Sequence, residues 1–117
     1  MTAEQILYEA LATTGYEIFP QLAPDNQNNP FVIYSMIADT KAFGMDEIAS
    51  TLQDKRFQVD IYSDGYSELL TMKDTVTSAI NNIDKSIGKP IIYGTRDLAD
   101  EYGRRTVFDL KIWVKPQ

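Results

Sequence analysis

The first segment of the chain repeats apolar residues at helical spacing. One stripe of a helix would carry Ile6, Leu7 and Leu11. Thr2 and Gln5 stand three residues apart, which is the spacing of a capping box at a helix start. The pattern therefore predicts a helix that begins beside Thr2 and ends before Gly15, a residue type favoured just after helix ends.

A second helix is predicted past the middle of the chain. Residues 63–65 (SDG) are interpreted as the end of a strand and the N-cap of this helix. Residues 81–82 (NN) and Gly88 are interpreted as its end. One face of the helix is predicted to carry Tyr66, Leu69, Leu70, Lys73, Val76, Thr77 and Ile80.

Five segments have the composition or the alternation of β-strands. Residues 31–37 are apolar on both faces except for one serine, which predicts a strand covered on both sides. Residues 55–62 and 106–114 alternate, so one face of each is predicted to enter the core. Residues 17–19 and 90–93 are predicted to be short strands.

The remaining segments are interpreted as connections. Residues 20–30 are rich in Pro and Asn, residues 38–54 form a long excursion, and residues 94–105 are taken as a polar turn. With strands before and after a helix, the order predicts an α+β fold, with a mainly antiparallel sheet and two helices packed on one face. The whole chain, residues 1–117, is expected to be a single domain.

Composition narrows the chemistry that the domain can perform. The chain has no Cys and no His, which excludes disulfides, thiol nucleophiles, zinc sites with these ligands and imidazole bases. With 11 basic and 17 acidic residues the net charge is −6, which argues against nucleic-acid binding. The N-terminal segment lacks the features of a signal peptide. No apolar run reaches the roughly 20 residues that cross a bilayer.

The acidic clusters do not form a recognisable reaction centre. Asp97, Asp100 and Glu101 make one cluster, and Asp46 and Glu47 make another. Both lie in segments predicted to be polar loops, where carboxylates are usually solvated and nearby ion pairs contribute little. No phosphate-binding glycine motif or nucleophile motif occurs in the sequence. We therefore predict no catalytic residue, no metal site, no cofactor and no enzymatic activity.

Two apolar features do not fit the predicted core. Val107 and Trp113 lie on the face of the last strand opposite to its core positions. The excursion 38–54 also carries four large apolar residues without a core role, namely Phe43, Met45, Ile48 and Leu52. Because monomers rarely expose many such groups, these residues either pack on the chain's own helices or bind another subunit.

Four motifs, in this order, resemble the tail terminator proteins of long-tailed bacteriophages, also called tail completion or tail-to-head joining proteins. They are residues 29–34 (NPFVIY), residues 56–63 (RFQVDIYS), Tyr66 as the aromatic residue that opens a helix, and residues 106–114 (TVFDLKIWV). The resemblance extends over most of the chain, although the excursion 38–54 matches no pattern of the family.

The resemblance implies a structural role in a phage or prophage virion. Such proteins form a ring, usually of six copies, that caps the head-proximal end of the tail tube and stops its elongation. The implied partners are further copies of the chain, the tail tube protein and the head-completion or connector protein. DNA would only pass through the lumen, and no membrane is involved. Assembly would take place in the host cytoplasm, and the mature location would be the head–tail interface.

The candidate subunit or partner interface combines the acidic clusters with the apolar residues that lack a core role. Its residues are Phe43, Met45, Asp46, Glu47, Ile48, Leu52, Asp54, Asp97, Asp100, Glu101 and Trp113. Acidic side chains along a ring lumen would repel DNA and let it slide. The alternatives are a head-completion or connector protein and a small acidic binding protein that mimics DNA.

Overall fold

Two helices and five strands form the part of the chain that the computed structural model describes. The described residues are 2–24, 27–41, 53–84, 88–100 and 103–114, with the backbone alone for 38–41, 53–54 and 100. The elements are α1 (Ala3–Ala12), β1 (Glu17–Pro20), β2 (Phe31–Lys41), β3 (Gln53–Ser63), α2 (Tyr66–Asn81), β4 (Lys89–Asp100) and β5 (Gly103–Val114).

The strands make one sheet in the order β1-β2-β3-β5-β4. β1 runs parallel to β2, and the other three pairs of neighbours are antiparallel. The buried core lies between the sheet and both helices, which pack on the same face. The predicted α+β class and mainly antiparallel sheet are therefore confirmed.

The two helices begin in different ways. Thr2 Oγ1 accepts a hydrogen bond from the Gln5 amide at 3.2 Å, and Gln5 Oε1 accepts one from the Thr2 amide at 2.9 Å. This is the predicted capping box. The N-cap of α2 lies within the predicted segment, but it is Gly65, which offers no side-chain acceptor. Ser63 instead donates its hydroxyl to the Gly65 carbonyl at 2.8 Å.

The alternation predicted for β3 and β5 is confirmed by the helix-covered core, which contains their apolar inward residues and not Val107. Phe57, Val59 and Ile61 of β3 are fully buried against the helices. The core face of α2 differs from the predicted one, because Tyr66 and Leu70 are exposed. The buried side chains of α2 are Leu69, Met72, Val76 and Ile80.

The strands are longer than the sequence predicts, and β2 and β4 most of all. β2 continues to Lys41 and pairs with β3 from Gln53 onward, so only residues 42–52 of the predicted excursion remain, and they lie outside the described residues. The predicted polar turn at 94–105 is wrong, because β4 pairs with β5 as far as Asp100 opposite Gly103. Residues 95–99 are exposed throughout, so this edge strand has no apolar alternation to reveal it.

The other face of the sheet carries no helix within the described part of the chain, and it is called the open sheet face below. β2 was expected to be covered on both sides, which is wrong for its second half: Met36 and Ile37 are exposed. The molecule is elongated, with extents of 50 × 23 × 23 Å. Within the described ranges, neither helix has the length and apolar character needed to cross a membrane.

Candidate assembly surface

An aromatic row crosses the open sheet face over three strands, and an arginine of a fourth strand extends it. Phe19 meets Phe31 edge to face at a centroid distance of 6.2 Å, and Phe31 stacks on Tyr62 at 4.6 Å. The guanidinium of Arg105 lies over the Tyr62 ring at 5.5 Å. The register produces this row, because it places Phe31 opposite Tyr62 and Tyr62 opposite Arg105. Offset and edge contacts of this kind stabilise aromatic neighbours.

A charge pair lies beside the aromatic row. Arg105 Nη2 donates to Asp60 Oδ2 at 2.7 Å, and Gln58 donates its amide to the other Asp60 oxygen at 3.1 Å. Asp60 is buried, and Arg105 Nε is buried without a hydrogen-bond partner among the described residues. Val107, opposite Asp60 in the register, is 1% exposed although it lies outside the helix-covered core. The open sheet face therefore has an ordered, desolvated centre.

A second group of side chains on this face forms what we call the basic patch, made of Lys89, Ile91, Tyr93, Lys111 and Trp113. The Lys111 ammonium lies 5.3 Å from the Tyr93 ring centroid, and Lys89 is opposite Trp113 in the register. Ile91 and Tyr93 are 44% and 47% exposed. Among the described side chains no carboxylate lies within ion-pair distance of either lysine.

Two of the interface residues predicted from sequence have described side chains, and they lie apart. Trp113 is half-buried in the basic patch, on the face opposite the core as predicted. Asp97 lies on β4, where it accepts hydrogen bonds from Thr106 Oγ1 at 2.7 Å and from Lys73 Nζ at 3.1 Å. The hydrogen bond from Thr106 and then that from Lys73 lower the pKa of Asp97 below its ordinary value of 3.8. Asp97 thus ties β4 to α2 and to β5.

The other predicted interface residues are only partly placed by the structure. The backbone of Asp54 is opposite Trp113, and that of Asp100 is opposite Gly103. Phe43, Met45, Asp46, Glu47, Ile48, Leu52 and Glu101 lie outside the described residues. The sequence does not predict the aromatic row as a unit, because its rings come from three strands whose register cannot be read from the sequence. Phe31 and Tyr62 are visible there only as single strand residues.

The helix side of the molecule is acidic, in contrast to the basic patch. α1 and α2 carry four acidic residues and a single cation, Lys73, which is engaged with Asp97. A shallow cavity of about 240 Å³ lies between the helix ends, with Ile6, Ala10 and Ile83 on its walls and Glu9 and Asp84 beside them. An adjoining depression continues to Asp74. We call this continuous depression the acidic groove.

The described side chains show no arrangement suited to a metal ion: no group of three or more Asp or Glu converges within these ranges. What the arrangement offers is contact surface. One face carries aromatic rings and lysines, and the opposite side carries carboxylates around an apolar floor. Interfaces commonly have such composition, with aromatic and cationic anchors near their centre.

Comparison with known proteins identifies a similar fold but no sequence relative. No protein-family model matches the chain, and no curated protein matches it either. Among solved structures, a chain of the structure described as "Virion of native gene transfer agent (GTA) particle" superimposes with a TM-score of 0.66 at 12% sequence identity. The match covers 97% of this chain and 95% of that chain. At this identity the match establishes a shared fold.

Proposed function

We propose that the protein is a structural component of a phage-like virion, and specifically a tail terminator. In this role, copies of the chain form a ring at the head-proximal end of the tail tube, stop its elongation and join the tail to the head. The observation that carries the proposal is the likeness in fold, over nearly the whole of both chains, to a protein found in a virion structure. The ordered motifs of tail terminators in the sequence favour this role over other virion roles.

The dimensions of the molecule support a ring with a central passage. Six copies that are each 23 Å thick, placed side by side with the long axis along the ring axis, enclose a lumen about 20 Å across. That is the scale of one DNA duplex. The net charge of −6 per copy would repel DNA phosphates and so favour passage over adhesion.

The open sheet face argues against the alternative of a DNA mimic. Such a protein needs carboxylates spread over one face, whereas this face bears Lys89, Arg96, Arg105 and Lys111, and two of its described carboxylates, Asp60 and Asp109, each lie beside an arginine. A head-completion or connector role shares the ring and the virion location with the proposed role. Tail length separates the two, because of these two roles only that of a terminator stops elongation of the tube.

Deletion of the gene from the phage or prophage that encodes it tests the proposal. Electron microscopy of the resulting particles should show tails of uncontrolled length that are detached from filled heads. Supplying the wild-type chain in trans should restore tails of uniform length, which controls for effects on neighbouring genes. Tails of normal length without heads would assign the chain to head completion instead, and intact particles would refute a virion role.

A further inference from the structure

We propose that the acidic groove of one copy receives the basic patch of the next, so that the helix side of each subunit docks on the open sheet face of its neighbour. This inference deepens the proposed function and rests on it, since it names the two surfaces that close the ring. The occupant of the open sheet face is thus a second copy of this chain.

The open sheet face has the properties of a surface that is covered on assembly. It presents Ile91, Tyr93 and half-buried Trp113, and the desolvated Asp60–Arg105 pair lies farther along the same face. With extents of 50 × 23 × 23 Å, the molecule has room on this face for the ~800 Å² per partner of a standard interface.

The edges of the sheet are less suited to joining copies. β4 carries Pro90, which lacks an amide donor, and its register shifts at Tyr93. β2 has a similar irregularity at Ile37, and the opposite edge strand β1 has only four residues and ends at Pro20. Prolines, bulges and short strands are the means by which proteins prevent edge pairing. Contact through the faces is therefore favoured over extension of the sheet.

The charges of the two surfaces indicate that a second copy of the chain covers the open sheet face. In the described part of the chain, Lys89 and Lys111 have no acidic partner on the open sheet face, and Glu9 and Asp74 have no basic partner on the helix side. A second copy supplies both missing partners at once. Apolar Ile91 and Tyr93 project beside the lysines, as Ile6, Ala10 and Ile83 line the groove beside the carboxylates. Complementarity of this kind fixes orientation and suppresses wrong partners.

The contact uses two different surfaces of the same chain, so it is heterologous. Heterologous contacts generate a ring when the rotation between neighbours closes, and a filament when it does not. Every subunit of the ring then makes the same pair of contacts and leaves no open sheet face or acidic groove unoccupied.

Reciprocal charge reversal tests the contact. A groove variant carries Glu9→Lys with Asp74→Lys, and a patch variant carries Lys89→Glu with Lys111→Glu. Wild-type chain should self-associate in sedimentation experiments extended to millimolar concentration, and each variant alone should associate at least ~tenfold more weakly. An equimolar mixture should regain wild-type association, because each altered surface then meets a matching one. Circular dichroism of each variant checks that the fold is retained.

Three results, two from sedimentation and one from a DNA-binding assay with the same proteins, overturn the inference. One is a wild-type chain that stays monomeric up to millimolar concentration. Another is a mixture that associates no better than its components. The third is a gel shift of duplex DNA by the wild-type chain that the patch variant loses, since the lysines would then serve nucleic acid.

Cysteine cross-linking locates the contact independently, because the chain has no native Cys. Glu9→Cys with Lys111→Cys should give a ladder of intermolecular disulfides on oxidation. The matched control, Glu17→Cys with Thr95→Cys, places thiols on the two edge strands β1 and β4 and should not. Cross-linking through the control pair alone would overturn the inference while leaving the proposed function intact. Normal tails after gene deletion would instead refute the function, whatever the solution contacts.

Discussion

At the scale of single residues, Asp60 shows how the open sheet face holds its order without a covering helix. The carboxylate is 8% exposed and receives Arg105 Nη2 at 2.7 Å and the Gln58 amide at 3.1 Å. Arg105 also lies over the Tyr62 ring, so one guanidinium links the charge pair to the aromatic row. A planar guanidinium is suited to both contacts, which a lysine ammonium could not make together.

Replacing Arg105 with Met should therefore destabilise the protein by about 2 kcal/mol, because it leaves a buried carboxylate without its cation. The double variant Asp60→Val with Arg105→Met should recover stability to within about 1 kcal/mol of wild type, since no charge then remains buried. Urea denaturation of the three proteins measures both effects. A double variant no more stable than the single one would show that Arg105 stabilises the sheet by packing alone.

Because of Asp97, the stability of the protein should decrease as the pH falls in the acid range. The pKa of Asp97 is lowered first by the Thr106 hydrogen bond and then by that from Lys73, so the folded state favours the carboxylate. That contribution is present above the ordinary value of 3.8 and is lost as pH falls through the folded-state pKa. At neutral pH, Asp97→Asn should cost about 1 kcal/mol or less, since the group is partly exposed. The deficit should vanish near pH 2 in thermal denaturation.

Thr106→Val serves as the matched variant for this effect. It keeps the buried shape on β5 but removes the hydroxyl that donates to Asp97 at 2.7 Å. Its stability should approach that of wild type in the same acid range, because Asp97 is then protonated in both proteins. A deficit independent of pH for Asp97→Asn would show that its carboxylate charge contributes nothing to folding.

At the scale of elements, periodicity in the sequence predicts those parts that have one buried face. The residues of β3 alternate strictly, and Thr2 with Gln5 marks the start of α1, so both elements are readable from the sequence. The far half of β4 is exposed on both faces and has no period to detect. The irregularities at Ile37 and Tyr93 shift the register, which breaks the alternation where the strands continue.

The same reasoning explains what could be predicted of the candidate surface. The outward positions of Val107 and Trp113 follow from the alternation of β5 alone, and the structure confirms them. The basic patch and the aromatic row depend on which strands are neighbours. The order β1-β2-β3-β5-β4 places β5 between β3 and β4, an arrangement that no local pattern specifies.

The start of β5 should tolerate substitution poorly. Gly103 has φ +122°, and a Cβ atom built on it would lie 2.6 Å from the Ser63 carbonyl oxygen. Gly103→Ala should therefore cost about 3 kcal/mol, through both backbone strain and the clash. Gly65→Ala is the control, because Gly65 has an ordinary φ of −127° and no atom within 4 Å of a built Cβ. Its stability in urea should change by less than about 1 kcal/mol, and equal losses would contradict the argument.

At the scale of the whole molecule, the two sides of the elongated domain differ in both shape and charge. The helix side is acidic and grooved, and the open sheet face is aromatic and carries lysines without described acidic partners. A single copy cannot bring its two sides together, whereas copies related by rotation can. This asymmetry connects the fold of one chain with the proposed ring, in which each subunit is both donor and acceptor of the same contact.

Apolar contact should contribute more to ring assembly than any single charge. Trp113 is only partly exposed in the free chain, so roughly 50 Å² of its indole remains for a neighbour to cover. Trp113→Ala should then weaken each contact by about 1.4 kcal/mol, or roughly tenfold in association. Lys89→Glu, which reverses one exposed charge opposite Trp113 in the register, should weaken it less than ~tenfold.

Sedimentation of the isolated variants and electron microscopy of tails assembled with each of them measure these losses in parallel. Trp113→Phe controls for folding, because it keeps an aromatic ring on β5 and should retain most of the association. Thermal denaturation must first show that Trp113→Ala remains folded at the assay temperature. If Trp113→Ala then assembles as well as wild type, Trp113 lies outside the interface, and the open sheet face cannot be the surface that each neighbour covers.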